Sequence, residues 1–183
     1  LSIAFTALID GRLSVAAGAI GVMIDCLYET LRYSKNRNQH GSVLAKKQLI
    51  QQHISQIIVA IESSKWLLYK AAINRQNFQD YLERLKTEDD EWIFTLNRKN
   101  KKYSDLRNEC DRIAAIAKYY TTNVSFDVTN RSLQIFGSEG YKKTSRVARH
   151  FLDSRATTIY EGANEVLELK IASEALGNEY RAY

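Results

Sequence analysis

The sequence predicts an all-α protein, an antiparallel (up-and-down) bundle of three long helices plus one or two short C-terminal helices. The 183 residues include no proline, and long helices exclude proline because it lacks a backbone N–H and clashes with the preceding turn. Apolar residues recur at three- and four-residue steps over long stretches. No segment alternates strictly between apolar and polar residues, as a half-buried strand would.

The first predicted helix covers residues 12–36. Asp10 is a candidate N-cap, because its carboxylate can accept hydrogen bonds from the N–H groups of the first turn. The polar run at residues 35–42 interrupts the apolar period and predicts a loop. The apolar stripe of this helix consists of Leu13, Ala16, Ala17, Ile20, Ile24, Leu27 and Leu31.

The second predicted helix begins near Ala45, and its pattern weakens towards Leu85. Residues 87–111 are the most polar segment of the chain and predict an exposed connection with helical ends. The helical period returns at Ile113 and predicts a third helix that ends at about Leu133. The stripe of the second helix consists of Ile50, Ile54, Ile57, Ile61, Leu68 and Ala72.

The C-terminal part of the chain predicts shorter elements. Gly137 and Gly140 indicate a turn after the third helix, because glycine accepts a positive φ. A short helix is predicted at residues 145–153, whereas residues 157–164 show no apolar period. A last helix follows, and Gly177 is a suitable stop for it.

Charge and composition exclude several classes of partner. The net charge is +5, from 26 Lys and Arg against 21 Asp and Glu, which is mild for a protein of this length. The lysines at residues 99–102 are balanced by the acidic residues 88–91, a pattern typical of a solvated loop, so no nucleic-acid partner is expected. The three histidines show no metal-like spacing with cysteines or carboxylates, so no metal site is expected.

The expected setting is a reducing, cytoplasmic one. Two cysteines are too few for a disulfide scaffold. Apolar runs are judged shorter than the roughly 20 residues that span a bilayer, which favours a soluble protein without a membrane partner. The chain starts without a methionine and without a charged segment before an apolar stretch, so we interpret its start as a cut edge of a longer protein.

Five separate motifs occur in a fixed order along the chain. Residues 10–21 read DGRLSVAAGAIG, and residues 36–41 read NRNQHG, with Gln48 shortly after them. With the three motifs below, they resemble the C-terminal helical domain of the FAD-dependent acyl-CoA dehydrogenases. The opening helix of that family often reads G-R-x-x-x-A-A, and its next loop reads E-R-x-x-F-G.

The other three motifs lie in the last third of the chain. Residues 133–141 (LQIFGSEGY) are similar to Q-x-x-G-G-x-G-Y, residues 153–155 (DSR) to D-A-R, and residues 159–165 (IYEGANE) to I-Y-E-G-T-x-E. The resemblance implies one C-terminal helical domain over residues 1–183, with a polar insertion at 75–110 that is longer than the family norm. It also implies that the family's N-terminal helical and middle β-domains are absent from this sequence.

The resemblance implies an oxidoreductase that dehydrogenates the α- and β-carbons of an acyl-CoA thioester. Glu161 would be the base that removes the α-proton, and FAD would accept the β-hydrogen as hydride. A carboxylate shielded from water by flavin and thioester is the stronger base for this task. Some relatives place the base on the first helix beside the Arg, but that position here is Gly11. On residue type alone, a Glu before the last helix is also explained by the helix dipole.

The resemblance assigns the other site residues to two groups. The cofactor-binding positions are Arg37, His40, Gln134, Ser138, Ala163 and Glu165. The substrate-binding positions are Arg12, Tyr160 and Gly162. Arg37 matches an arginine that reaches the flavin pyrophosphate of a neighbouring subunit, and a guanidinium fork suits phosphate oxygens. Gln134 matches a contact to the adenosine side of the cofactor. On residue type alone, Arg37 would be a solvated loop residue and Gln134 an ordinary helix-end residue.

The implied partners are an acyl-CoA substrate, further copies of the chain in a homodimer or homotetramer, and an electron-transfer flavoprotein or another acceptor. Three positions depart from the family: His40 replaces an aromatic residue, Ser138 a glycine and Ala163 a threonine. They leave two alternatives open. The chain would be either a catalytically degenerate bundle that keeps the oligomer surface, or part of a relative that oxidises a non-CoA substrate.

Overall fold

Helices form almost all of residues 2–88 and 100–180, which are the residues that the computed structural model describes. The three long helices are α1 (Ser2–Asn36), α2 (Gln48–Glu88) and α3 (Lys101–Phe136). The two shorter ones are α4 (Arg146–Thr157) and α5 (Asn164–Leu176). Short 3-10 turns occupy Leu44–Lys46, Gly137–Glu139 and Asn178–Tyr180. The predicted all-α bundle is confirmed.

The start of α1 differs from the prediction. The helix begins at Ser2 and not at residue 12, so Asp10 lies inside it and is not an N-cap. Ile9 is buried in the core and extends the apolar stripe towards the N-terminus. The Asp10 carboxylate instead accepts hydrogen bonds from Arg75 of α2, from Nε at 2.6 Å and from Nη2 at 3.0 Å. The carboxylate of Asp10 is therefore a contact between α1 and α2 and not a helix cap.

The predicted loop after α1 contains a small antiparallel hairpin. Its strands are β1 (Asn38–Gln39) and β2 (Ser42–Val43), paired in one two-stranded sheet. His40 (φ 50°) and Gly41 (φ 77°) form the turn between them, and positive φ at both central residues is what a two-residue hairpin requires. Strands of two residues are too short for an alternating pattern to reveal them.

The predicted connection at residues 87–111 is helical wherever the structure describes it. α2 continues to Glu88, and α3 begins at Lys101. Tyr103 is buried, so the first turn of α3 is not the exposed segment that its polarity suggested. The Asn100 side chain caps α3 by accepting from the Tyr103 N–H at 3.1 Å. Residues 89–99, the centre of the predicted polar insertion, lie outside the described residues.

The core lies along α3, which packs against both α1 and α2. One cluster of buried residues joins Met23 of α1, Ile57 of α2 and Val128 of α3. A second cluster joins Ile9, Phe78 and Tyr103 towards the other end of the bundle. α4 and α5 pack against α3, so the turn between them is held over the side of the central helix.

α1 is long and apolar enough to cross a membrane by length and composition, with a mean hydropathy of 1.6 in its best window within Ala7–Asn36. The expectation that no apolar run reaches this length is therefore wrong for α1. The core helix of a bundle has the same composition, and α1 buries Ala16, Ala19 and Met23. A third of that window is buried inside the bundle.

Candidate functional site

The turn between α4 and α5 holds two consecutive residues in the left-handed region. Glu161 has φ 55° and Gly162 has φ 94°. Glycine adopts this conformation freely, whereas a residue with a Cβ loses roughly 1–2 kcal/mol there. The Asn164 N–H donates to the Thr158 carbonyl at 3.0 Å and closes the turn. Strain of this kind persists only where surrounding contacts fix it, and it is concentrated at functional positions.

The Glu161 carboxylate lies against Gly11 of α1. A Cβ placed on Gly11 would be 2.5 Å from Glu161 Oε2 and 2.7 Å from its Cδ, closer than carbon and oxygen atoms approach. The missing side chain at position 11 therefore makes the space that the carboxylate fills. Glu161 is half-buried, and within residues 2–88 and 100–180 its carboxylate has no hydrogen-bond partner. It is thus partly shielded from water and free to accept a proton.

Lys118 of α3 supports this turn from beneath. Its side chain is fully buried, and Nζ donates to the Gly162 carbonyl at 2.8 Å and to Asn164 Oδ1 at 2.8 Å. Burial lowers the pKa of Lys118 to about 8; Arg12 lowers it further, while Glu165 and Glu161 oppose the shift. The sequence analysis missed this residue. The sequence does place Lys118 on the same helical face as Ala114 and Ala117, and this position could have indicated a buried lysine.

Asn164, the first residue of α5, completes the cluster under the turn. Its Nδ2 donates to Thr122 Oγ1 at 2.9 Å and to Asn123 Oδ1 at 2.9 Å, while its Oδ1 accepts from Lys118. The amide is buried, and both of its polar atoms are satisfied. α5 is therefore joined to α3 by polar contacts directly below Glu161 and Gly162.

Arg12 lies beside the turn in a partly buried ion-pair network. Its Nη1 contacts Asp111 Oδ1 at 2.5 Å, and Lys170 of α5 pairs with the other Asp111 oxygen. Nη2 is 3.8 Å from the position that a Cβ on Gly162 would take. Its Nε is buried and has no hydrogen-bond partner within the described residues. The network links α1, α3 and α5 and fixes Arg12 next to Gly162.

The substrate-side residues that the sequence predicted are thus brought together. Arg12, Glu161 and Gly162 adjoin one another, and Tyr160 precedes them with a half-exposed side chain. Ala163 occupies the N-cap position of α5 and supplies no capping hydrogen bond. Glu165 is exposed in the first turn of α5.

The other predicted cofactor positions lie at the opposite end of α1. Arg37 and His40 are exposed in the hairpin, and Gln134 and Ser138 are exposed at the C-terminal end of α3. These two segments adjoin, because the rings of Tyr33 and Phe136, one from each helix end, stack with centroids 4.2 Å apart. Lys142 lowers the pKa of Glu139, and the charge of Arg37 contributes to this shift.

The two groups of predicted residues are far apart within one chain. About 24 residues of α1 separate Arg12 from the helix end at Asn36, which corresponds to about 36 Å at 1.5 Å per residue. Arg37 and the Glu161 turn of one chain are therefore separated by most of the length of α1.

Comparison with known proteins identifies the family. Residues 1–176 match the family model described as "Acyl-CoA dehydrogenase, C-terminal domain". The chain belongs to the acyl-CoA dehydrogenase family. The resemblance inferred from the five motifs is confirmed.

Individual acyl-CoA dehydrogenases show the same relationship. The short-chain specific acyl-CoA dehydrogenase of Megasphaera elsdenii is 35% identical over 174 residues, which are 95% of this chain and 38% of that protein. The 3-(aryl)acrylate reductase of Clostridium sporogenes is 30% identical over 91% of the chain and 36% of its own length. The structure of butyryl-CoA dehydrogenase from Megasphaera elsdenii superposes with a TM-score of 0.73 at 32% identity, covering 96% of this chain and 38% of that one. The chain thus spans little more than a third of the relatives it matches.

Substituting Gly11 with Ala tests the packing at position 11 of this acyl-CoA dehydrogenase domain. The new methyl group must displace the Glu161 carboxylate, so we expect kcat of the full-length gene product to fall about 10²-fold. The free energy of unfolding should rise by about 0.5–1 kcal/mol, because glycine is a poor residue inside a helix. Gly18→Ala is the matched control, since a Cβ there meets nothing within 4 Å. Equal activities of the two variants would contradict the packing argument.

The burial of Lys118 predicts a pH dependence of stability. Its pKa is about 8 in the folded domain against an ordinary value of 10.5, so between these values the unfolded chain binds the extra proton. The free energy of unfolding therefore rises with pH. Below pH 8 the buried charge costs about 3 kcal/mol, and this cost is removed as the side chain loses its proton at higher pH. Thermal unfolding of the full-length gene product and of its Lys118→Met variant measures this effect. As the pH is raised, the melting temperature of the wild type should rise relative to that of the variant. A difference that stays constant with pH would contradict this.

Proposed function

We propose that this domain is part of a flavin-dependent enzyme that dehydrogenates an acyl-CoA thioester between its α- and β-carbons. In this reaction Glu161 takes the α-proton on a carboxylate oxygen. The observation that carries the proposal is the position of Glu161: a half-buried carboxylate on a left-handed turn, placed against Gly11 and without a hydrogen-bond partner in the described part of the chain. Family membership supports the reaction class.

The geometry around Glu161 suits a general base. A base must have an unoccupied oxygen near the proton it removes and a fixed position relative to it. Gly11 leaves room for the carboxylate on one side, and Lys118 holds the backbone of the turn on the other. Arg12 and Tyr160 flank the turn and are our candidates for contacts with the substrate. Gly162 lets the chain approach the substrate without a side chain in between.

FAD, when bound, supplies the acceptor for the β-hydrogen as hydride. The residues available in this chain fit parts of that cofactor. Arg37 is exposed and offers a guanidinium fork for phosphate oxygens, and Gln134 offers an exposed amide close to it in space. At the N-terminus of α5, Ala163 has no side-chain oxygen and makes no capping hydrogen bond to the helix.

The separation of these residues supports an oligomeric site. Because most of the length of α1 separates Arg37 from the Glu161 turn in one chain, we propose that two chains contribute to each cofactor site, in a homodimer or homotetramer. α2 presents large exposed apolar side chains, including Leu49, Val59, Trp66 and Ile73, which suit self-association. Sedimentation of the full-length gene product as a monomer would count against this arrangement.

Two alternative functions make different predictions. A degenerate oligomerisation module is favoured by His40, Ser138 and Ala163, which depart from the family's motifs at predicted cofactor-binding positions. A relative acting on a different compound is favoured by the range of names among similar proteins, which includes a 3-(aryl)acrylate reductase. An electron-transfer flavoprotein is our proposed acceptor for the dehydrogenase.

An anaerobic visible spectrum of the purified full-length gene product, before and after addition of a series of acyl-CoAs, separates these functions. We expect a flavin spectrum that is bleached by acyl-CoAs of one chain-length class. Bound flavin that no thioester reduces would favour another substrate. No flavin, even after supplying FAD, would favour the oligomerisation module.

A further inference from the structure

Glu161 stays in an unfavourable conformation although the bonds within its own turn are few. The turn itself contributes the Asn164 N–H bond to Thr158, which spans residues on both sides of Glu161 but does not fix the Glu161–Gly162 peptide. Residues with a Cβ hold a positive φ only where neighbouring groups enforce it. A contact from another element must therefore hold this peptide in place.

The contact comes from Lys118. We propose that Lys118 is a positioning residue for Glu161: its ammonium binds the Gly162 carbonyl and the Asn164 side chain, and so fixes the left-handed turn that places the carboxylate against Gly11. This proposal rests on the proposed role of Glu161 as the base. Lys118 itself is fully buried and reaches no substrate.

The arrangement of neighbouring charges fits this role. The negative charges of Glu165 on α5 and Glu161 on the turn favour the ammonium, whereas burial and the charge of Arg12 disfavour it. The two carboxylates that favour it lie on or next to the turn that Lys118 binds. Both of its hydrogen bonds are charge-assisted and lie in a buried setting, where such bonds are strongest.

A neutral side chain could fill the same space without these contacts. Methionine has nearly the shape of lysine but no donor, so Lys118→Met removes the side-chain donor to the Gly162 carbonyl and one of the two donors to Asn164 Oδ1. Glutamine keeps a neutral N–H donor, so Lys118→Gln should retain part of the hold on the turn. Lys101→Met is the control, because it removes an exposed lysine from the same helix.

The test measures amide hydrogen exchange and steady-state kinetics on the full-length gene product. In Lys118→Met we expect faster exchange confined to residues 159–164, and a kcat about 10²-fold lower with KM for the acyl-CoA unchanged. Lys118→Gln should lie between this variant and the wild type, and Lys101→Met should match the wild type. Unchanged exchange in residues 159–164 of a folded Lys118→Met variant would overturn the proposal.

The remaining outcomes also decide the matter. Faster exchange in the turn with normal kcat in both Lys118→Met and Glu161→Gln would show that Lys118 holds the turn but that Glu161 is not the base, so only the proposed function would fail. Faster exchange with normal kcat in Lys118→Met alone would overturn the positioning role. If neither Lys118→Met nor Lys118→Gln folds, Lys118 supports the fold as a whole, and the proposal is overturned as well.

Discussion

Replacing Glu161 with Gln should lower the rate of flavin reduction by an acyl-CoA by roughly 10⁴-fold. An amide has nearly the shape of the carboxylate and keeps the packing against Gly11, but it cannot accept the α-proton. A positioned base contributes about 10²–10⁴-fold to proton transfer, and we expect the upper end because the carboxylates of Asp10 and Asp111 are already engaged in ion pairs. The measurement is the decay of flavin absorbance in an anaerobic single turnover.

The control for this variant is Glu62→Gln, which changes an exposed carboxylate on α2 that pairs with Lys65. It should leave the rate of flavin reduction unchanged. Wild-type flavin binding in Glu161→Gln would show that the site is intact. A normal rate of flavin reduction in Glu161→Gln would place the base elsewhere in the full-length protein.

Replacing Asp111 with Asn should destabilise the protein by about 3 kcal/mol. Asp111 is the shared partner of Arg12 and Lys170, and the Arg12 side chain is only 10% exposed. Breaking a buried ion pair leaves an uncompensated charge, and such losses reach 3–5 kcal/mol. Because Asp111 joins α1, α3 and α5, the loss weakens the packing of three helices around the turn. The urea midpoint of unfolding measures the effect.

A surface ion pair on the same helix provides the comparison. Asp127 pairs with Arg131 one helical turn away, and the Asp127 side chain is 54% exposed. Asp127→Asn should change the free energy of unfolding by less than about 1 kcal/mol. Equal shifts of the urea midpoint in the two variants would show that burial of the Asp111 network does not contribute.

The helical periods predicted the long helices because burial against a bundle core imposes the three- and four-residue step. The same rule failed near residue 10, where Asp10 interrupts the stripe but bonds to Arg75 of α2. The rule failed again near Tyr103, because most residues in the first turns of α3 are polar although one face of the helix is buried. In both cases the position of the residue depends on contacts with a helix that is distant in sequence. A local sequence pattern carries no information about such contacts.

The candidate site shows the same limit. The motif around Glu161 indicated a base, and Arg12 was named beside it. The sequence did not show that Gly11 and Glu161 meet, because they are brought together only when α1 packs beside the α4–α5 turn. The sequence did not indicate a role for Lys118, because a charged residue on a helix ordinarily lies on its solvated face. Its partners, Gly162 and Asn164, lie in another element.

The length of α1 has a consequence for how such a chain can change during evolution. The helix is a rigid spacer between Arg12, which lies about three turns after its start, and Arg37, which follows its last residue. Inserting or deleting one residue between them would turn one end about 100° against the other and shift it by 1.5 Å. Both residue groups would remain intact, yet they would face in incompatible directions. The number of residues in α1 is thus constrained separately from their identity.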